Sequence, residues 1–237
     1  MLRKCVNILE THDYADLLAQ YPCPQVGNPH VYRYRGYTYT YRWFRHVYLL
    51  GLINRVLGEH LPEDFHVLDL GSSFGASSYL LHREHPGCHQ ILVDFPEQLL
   101  LAHYYLATAF PDSRIAGIRE VATAPTIDRE FVERYDFVLA PVSCYEKVDY
   151  GVDLYTSFSC LGLLRRENFA AYLNGVAYRQ ARYLCIASPI VPKAFMDTDL
   201  TILDYPFNDP ARRLHFDHCA AYFHLYTPPR PHRKFWY

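Results

Sequence analysis

The sequence predicts an α/β protein whose core is a mostly parallel, twisted sheet with helices on both faces. From residue 65 onward, short apolar segments with β-branched residues alternate with segments of helical periodicity. Such an alternation of strands and helices implies a parallel sheet. Half of the 237 residues are hydrophobic and 20% are charged, which is typical of one large folded domain.

The predicted elements fall into three parts of the chain. Residues 1–60 form an N-terminal helical cover, with helices expected at 14–20 and 41–57. The core spans residues 61–227, and a basic aromatic tail covers 228–237. Core strands are expected at 65–70, 90–94, 115–121, 135–140, 152–156, 183–187 and 220–226. Core helices are expected at 76–84, 96–110, 128–134 and 166–179. The apolar strand at 183–187 should be buried at the centre of the sheet.

Composition and charge exclude several classes of function. The 23 basic residues nearly balance the 25 acidic ones, so nucleic-acid binding is not expected. The seven cysteines form no Cys-x-x-Cys pair, which indicates reduced thiols in the cytoplasm rather than disulfides or a zinc site. Residues 1–10 lack the apolar stretch of a signal peptide, and no segment approaches the roughly 20 apolar residues of a membrane span. We therefore expect a cytoplasmic protein without a transmembrane helix.

The turn after the first core strand carries the most chemical information. Residues 69–75 read Asp-Leu-Gly-Ser-Ser-Phe-Gly and connect this strand to the following helix. Small residues at such a turn let backbone N–H groups approach a ligand, and the N-terminus of the helix favours negative charge. The turn is therefore the first candidate for a binding site.

Two interpretations of this turn come from short motifs. Read as Gly-x-Ser-x-Gly, it is the nucleophile elbow of an α/β-hydrolase, with Ser73 as nucleophile and late residues such as Asp204 and His218 completing a triad. The strand directly before the turn is, however, the first clear strand of the chain, whereas an elbow follows several strands, one of which supplies the oxyanion hole. Read as a nicotinamide-binding turn, it has only the glycines Gly71 and Gly75 of the three expected, and no Tyr-x-x-x-Lys pair accompanies it.

In a third interpretation, Asp69-x-Gly71-x-x-x-Gly75 resembles the first motif of class I S-adenosylmethionine (SAM)-dependent methyltransferases. The resemblance implies their Rossmann-like fold. Serines occupy positions 72 and 73, where many relatives have a further glycine. Asp94 closes the second strand about 20 residues beyond the turn, where a carboxylate can accept hydrogen bonds from both ribose hydroxyls. The alternative role of Asp94 is to cap the helix that starts near Pro96.

The wider chain resembles a narrower group, the sugar O-methyltransferases of bacterial polysaccharide biosynthesis. The similarity is carried by segments 26–29, 44–49, 92–97 with 104–106, and 152–159, and it covers most of residues 26 to 175. It implies SAM as cofactor, S-adenosylhomocysteine (SAH) as product, and a saccharide hydroxyl as acceptor. The chain departs from that group at Cys160-Leu161-Gly162, where the group has a polar and acidic stretch.

The resemblance also implies a set of cofactor-binding residues. Asp94 would hold the ribose and Phe95 would flank the adenine, while Arg45 would reach the carboxylate of the cofactor. Asp69 would lie near the methionine amino group or a backbone turn. The complete predicted set is Arg45, Asp69, Gly71, Ser72, Ser73, Gly75, Asp94 and Phe95.

Methyl transfer to a hydroxyl needs alignment of the reacting atoms and a base that removes the hydroxyl proton. His218 or His215, oriented by Asp217, precedes the last predicted strand, and His103 lies on the helix after the second strand. The spacing His215-x-Asp217-His218 could also bind a metal, but three ligands without an identified second shell are a weak signal. No metal is expected.

Other partners and functions remain open at this stage. The tail at 228–237 could contact a membrane surface, a polysaccharide assembly partner or a neighbouring domain of a longer protein. An oligomer of the chain is a further option. A methyltransferase of this fold could instead act on RNA or on a small metabolite. The departures at positions 72, 73 and 160 also permit a non-catalytic docking domain.

Overall fold

The computed structural model describes residues 2–34, 36–40, 42–188 and 198–206. The chain divides into two compact units, of which one holds the residues up to Gly58 and the other begins at Glu59. In the described part, no helix is both long and apolar enough to cross a bilayer. The predicted strand at 220–226 and the tail lie outside the described residues.

The N-terminal unit consists of short helices and one hairpin. Its elements are α1 (Leu2–Thr11), α2 (Ala15–Gln20), β1 (Val31–Tyr34), β2 (Tyr37–Thr40) and α3 (Trp43–Leu57), and the two strands pair antiparallel. The hydroxyl of Tyr39 donates to the carbonyl of Leu18, and the indole of Trp43 donates to the carbonyl of Tyr21. The predicted helix at 41–57 is confirmed. Helix α1 was not predicted, although its buried residues Cys5 and Leu9 have helical spacing.

The second unit is built on a six-stranded sheet. Its elements are β3 (His66–Leu70), α4 (Ala76–Glu84), β4 (His89–Asp94), α5 (Pro96–Ala109), β5 (Ile115–Ala116), α6 (Ile118–Thr123), α7 (Arg129–Glu133), β6 (Phe137–Pro141), β7 (Leu154–Phe158), α8 (Arg166–Asn174), α9 (Val176–Arg179) and β8 (Tyr183–Ala187). The strand order is β5-β6-β4-β3-β7-β8, and every neighbouring pair is parallel. This is the predicted Rossmann-like α/β fold.

Each face of the sheet packs against helices because strand residues alternate between the two faces. On one face, Leu68 belongs to a core cluster that includes Phe131 of α7 and Phe169 of α8. On the opposite face, the amide of Gln90 donates to the carbonyl of Ser78 in α4. The prediction of helices on both faces is therefore confirmed.

The structure corrects three predictions in this unit. The strand expected at 115–121 is limited to the two residues of β5, and residues 118–123 form α6, in which Ile118 and Val121 have helical spacing. Strand β8 is not central: among the described residues it is the last strand of the sheet, and four of its five residues are only half-buried. An apolar run alone cannot distinguish the two positions. The predicted helix at 166–179 is two helices, interrupted at Gly175, whose backbone is extended at φ −62° and ψ 148°. The ring of Tyr145 packs where a Cβ of Gly175 would lie.

Candidate functional site

The candidate site lies at the carboxyl ends of β3 and β7, which are neighbours in the sheet. From β3 the chain crosses through α4 to β4 on one side, whereas β7 leads to β8 on the other side. The connections therefore diverge between β3 and β7. In open α/β sheets, ligands bind in the crevice at such a switch point.

The turn after β3 is tightly folded and fastened to the end of β4. Gly71, Ser73 and Gly75 all have left-handed backbones, with φ of 82°, 53° and 87°. The N–H of Gly71 donates to the carbonyl of Val93 over 2.8 Å, and the N–H of Gly75 donates to the carbonyl of Ser72 over 3.0 Å. A serine rarely adopts such a backbone, so the surrounding hydrogen bonds must hold Ser73 in it.

Both glycines are also required by close packing. A Cβ on Gly71 would lie 2.8 Å from the Sγ of Cys160, which follows β7, and would overlap its Cβ. A Cβ on Gly75 would lie 3.3 Å from a methyl group of Leu106 in α5. Gly71 therefore lets the loops after β3 and β7 approach each other, and Gly75 lets α4 start close to α5.

Asp94 links this turn to the end of β4. One of its carboxylate oxygens accepts a hydrogen bond from the N–H of Ser73, and the other accepts one from the N–H of Phe95, both over 2.7 Å. The cap position of α5 is occupied by Phe95, so Asp94 is not the helix cap that the alternative interpretation proposed. Each carboxylate oxygen can accept a further hydrogen bond. The side chain is only partly buried, so a ligand could supply it.

Asp69 is a second carboxyl group at this edge, but it is buried. Its side chain accepts a hydrogen bond from the hydroxyl of Thr156 over 2.8 Å, and the two residues are paired across β3 and β7. Burial raises the pKa of Asp69 from 3.8 to about 7, the Thr156 hydrogen bond lowers it, and the nearby Asp94 carboxylate raises it. Sequence reasoning missed Thr156. Its polar side chain within an apolar strand was the signal that could have identified it.

Ser72 places an unsatisfied polar atom in the same turn. Its side chain is 5% exposed, and within the described part of the chain its Oγ has no hydrogen-bond partner. A buried hydroxyl without a partner is costly. The prediction of Ser72 as a binding residue is compatible with this position, because a bound ligand could supply the missing partner.

The structure brings only part of the predicted site together. Phe95 follows Asp94 directly and is 62% exposed. Arg45 lies buried on α3 in the N-terminal unit, and its role remains a prediction. His103 is exposed on α5, about 10 Å along the helix axis from Pro96. The remaining predicted catalytic residues, His215, Asp217 and His218, lie outside the described residues.

Asp204, which the hydrolase interpretation assigned to a catalytic triad, is bonded to Arg166 and Thr201 instead. Asp204 accepts hydrogen bonds from the guanidinium of Arg166 over 2.6 Å and from the N–H of Thr201 over 2.7 Å. These bonds, first that from the Thr201 backbone and then that from Arg166, lower the pKa of Asp204. The carboxylate is therefore held as an ion-pair partner of α8. In the described ranges, no group of three or more His, Cys, Asp or Glu side chains could hold a metal ion.

Comparisons with known proteins return similarities to solved structures only. No protein-family model and no curated protein matches the chain. The mitomycin 7-O-methyltransferase MmcR aligns with a TM-score of 0.38 at 14% identity, over 63% of this chain and 41% of that protein. CalO1, a methyltransferase of calicheamicin biosynthesis solved with SAH bound, aligns with a TM-score of 0.36 at 16% identity, over 64% and 41%. The YcgJ protein of Bacillus subtilis aligns with a TM-score of 0.39 at 15% identity, over 63% and 53%. The matched region thus spans about half or less of each of these proteins.

Proposed function

We propose that this chain is a SAM-dependent O-methyltransferase that acts on a hydroxyl group of a saccharide. The observation that carries the proposal is the hydrogen bond between the N–H of Ser73 and the carboxylate of Asp94. It joins the glycine turn after β3 to the acidic residue that ends β4. In Rossmann-like folds these two positions hold the ribose and the adjoining part of an adenosine-containing cofactor.

The residues present fit such a cofactor. Gly71 and Gly75 let the turn adopt its left-handed backbone, and the buried Ser72 hydroxyl still needs a partner among the described residues. Asp94 would accept hydrogen bonds from the ribose hydroxyls with its remaining lone pairs. The exposed ring of Phe95 would flank the adenine. Asp69, held by Thr156, would lie toward the methionine part.

The cofactor, when bound, supplies an electrophilic methyl group on a sulfonium. The contribution of the chain is to hold donor and acceptor in line and to keep water out. Asp69 is buried and bonded to Thr156, and the remaining lone pairs of Asp94 would be taken by the ribose, so neither carboxyl group is placed to act as the base. The general base therefore remains among the predicted His103, His215 and His218, with Asp217 orienting the last two.

The saccharide acceptor is supported by the order of the four segments shared with sugar O-methyltransferases and by an aromatic side chain at this edge. Burial raises the pKa of the Tyr172 hydroxyl, and the nearby Cys160 and Asp94 raise it further. Tyr172 of α8 and Cys160, which follows β7, both pack against the same core cluster. A tyrosine offers a flat apolar face for a sugar ring together with a polar tip.

Isothermal titration calorimetry with SAM and SAH tests the cofactor. The wild type should bind both with micromolar dissociation constants, and Asp94→Asn should bind at least about tenfold more weakly, because it loses a charge-assisted acceptor. Asp112→Asn, which removes an exposed carboxylate after α5, is the matched control and should bind like the wild type. Folded wild-type protein that binds neither ligand would contradict the proposal and favour Ser73 as a nucleophile or a docking module.

Methyl transfer to candidate acceptors tests the second half of the proposal. The purified protein is incubated with methyl-labelled SAM and a panel of saccharides, RNA and small hydroxylated metabolites. Label should appear in a saccharide. Transfer to RNA or to a metabolite, with cofactor binding intact, would retain the methyltransferase and reject the saccharide.

A further inference from the structure

Two carboxyl groups lie on the same face of the sheet at the candidate site. Asp69 of β3 is aligned with Leu92 of β4, and Asp94 follows Leu92 by two positions on the same strand. Aligned residues of parallel strands share a face, and so do residues two positions apart on one strand. With strands about 4.8 Å apart and a rise of about 3.3 Å per residue, the Cα atoms of Asp69 and Asp94 are roughly 8 Å apart. Both side chains point to the face on which Gln90 contacts α4.

Neither carboxyl group has a cationic partner in the described part of the chain. Asp69 accepts its hydrogen bond from the hydroxyl of Thr156. Asp94 accepts from the backbone N–H groups of Ser73 and Phe95. The ion pairs formed by the described residues all involve other acids. Because like charges at this distance raise each other's free energy, positive charge on a ligand would stabilise the ionised site.

The thiol of Cys160 is affected by both carboxyl groups from the loop after β7. Its Sγ lies 2.8 Å from the place that a Cβ of Gly71 would occupy, so it borders the glycine turn. Burial, then the nearby Asp94 and Asp69, raises the pKa of this thiol to about 12, and no cation of the described residues opposes the effect. The space between the glycine turn and the loop after β7 is therefore electronegative.

The two ligands expected at this site differ in charge at one atom. SAM carries a positive sulfonium where SAH has a neutral thioether, and the two molecules are otherwise the same apart from the methyl group. We propose that Asp69 and Asp94 make the site selective for the sulfonium, so that it binds SAM more tightly than SAH. This inference rests on the proposed function. It means that the product inhibits the protein only weakly.

Coulomb's law sets the scale of this preference. At an effective dielectric constant of about 20, a unit charge roughly 8 Å from a carboxylate is attracted strongly enough to change a dissociation constant more than tenfold. Water and salt in the partly open crevice screen some of this attraction. With contributions from both carboxylates, we expect SAM to bind about tenfold more tightly than SAH at pH 8.

Isothermal titration calorimetry of the full chain with SAM and with SAH at pH 8 tests the proposal. The ratio of the two dissociation constants cancels every contact that the ligands share. Asp69→Asn keeps an acceptor for the Thr156 hydroxyl but carries no charge, so its preference for SAM should be at least about threefold smaller. Asp112→Asn removes an exposed carboxylate after α5 and is the matched control, whose preference should equal that of the wild type.

The outcomes of this titration distinguish the charge selection from the proposed function. Equal affinity for SAM and SAH, or a preference for SAH, would overturn the charge selection and leave the cofactor site in place. An equal preference for SAM in Asp69→Asn and the wild type would also overturn it, since damage to the shape of the site weakens both ligands together. Folded wild-type protein that binds neither ligand would contradict the proposed function, and the charge selection with it.

The pH dependence of the same ratio gives a second test. The titratable groups that face Asp69 are Asp94 at the end of β4 and Cys160 after β7, and the thiol stays protonated because its pKa is about 12. Since the pKa of Asp69 is about 7, this carboxyl group is largely neutral at pH 6 and largely ionised at pH 8. The preference for SAM should increase about threefold over this range in the wild type and stay constant in Asp69→Asn. A wild-type preference that does not change with pH would contradict the role of Asp69.

Discussion

The hydroxyl of Thr156 donates a hydrogen bond to the carboxyl of Asp69 over 2.8 Å, between two adjacent parallel strands. Thr156 is completely buried, and Asp69 is 4% exposed. The pair therefore places an ionisable group with a pKa of about 7 directly below the glycine turn. The ionisation of Asp69 should influence both the stability and the ligand binding of this edge of the sheet.

Asp69→Asn should change how stability depends on pH. The pKa of Asp69 rises from 3.8 to about 7 on folding, so between these values the folded state holds more protons than the unfolded state. The contribution of Asp69 to the free energy of unfolding is therefore fully present below pH 3.8 and is lost as the pH rises toward 7. Asn retains an acceptor for Thr156 without ionising. Relative to the wild type, Asp69→Asn should gain stability between pH 5 and 8, on the order of 2 kcal/mol.

Urea unfolding of both proteins at pH 5, 6, 7 and 8 measures this difference. If the difference in unfolding free energy between Asp69→Asn and the wild type is the same at all four pH values, the raised pKa of Asp69 is contradicted. Asp112→Asn is the control at an exposed carboxylate, and its difference from the wild type should not increase with pH.

His66 should produce the opposite pH dependence. Its imidazole lies 2.8 Å from the hydroxyl of Tyr150, and burial, then the nearby Arg129 and His89, lowers its pKa from 6.5 to about 4. Between these values the unfolded state holds more protons, so stability rises with pH, with a slope of at most about 1.4 kcal/mol per pH unit. In His66→Asn, stability should rise less steeply between pH 4.5 and 6.5. Thermal unfolding at several pH values measures the slope, and an unchanged slope would argue against a neutral buried His66.

Gly71→Ala should damage the candidate site more than an alanine elsewhere. The new Cβ would collide with Cys160, and the backbone would keep a φ of 82°. We expect a loss of about 3 kcal/mol in unfolding free energy, from overpacking and left-handed strain together. SAM binding should fall at least about tenfold. Gly117→Ala is the control, because open space surrounds that position and it should be nearly neutral.

Adding Cys160→Gly to Gly71→Ala separates the two causes of damage. Removal of the cysteine Cβ relieves the collision but not the left-handed backbone. Gly71→Ala should therefore cost less unfolding free energy when it is introduced into Cys160→Gly than when it is introduced into the wild type. Absence of any such recovery would mean that the loops after β3 and β7 do not limit each other as described.

Ser73→Gly should keep the site while removing its hydroxyl. Glycine adopts a φ of 53° without strain, and the backbone N–H that donates to Asp94 remains. Relief of strain should exceed the entropic cost of glycine, for a gain of about 0.5 kcal/mol. SAM binding should be retained within about threefold. Loss of a hydrolytic activity in this variant would instead support the nucleophile interpretation, so calorimetry and an esterase assay on the same sample decide between the two.

The segment from 65 to 110 shows what local pattern could predict. Strands β3 and β4 and helices α4 and α5 begin and end within one residue of their expected positions. The spacing of apolar residues in these elements, the glycine turn and Pro96 at the start of α5 can all be recognised from residues that are close together in the sequence. Helix α1 was not predicted, and the break at Gly175 was missed because the ring of Tyr145, which leaves no room for a Cβ there, lies 30 positions earlier in the chain.

Spacing along the chain was enough to predict the fold class, the glycine turn and the acidic residue that ends β4. The folded structure was needed to show that β8 lies at the end of the described sheet, that Thr156 bonds to Asp69, and that Cys160 packs on Gly71. These relationships depend on strand order, and several orders of parallel strands satisfy the same pattern of apolar residues. Packing of the whole sheet selects one order, and that order creates the crevice in which we place the site.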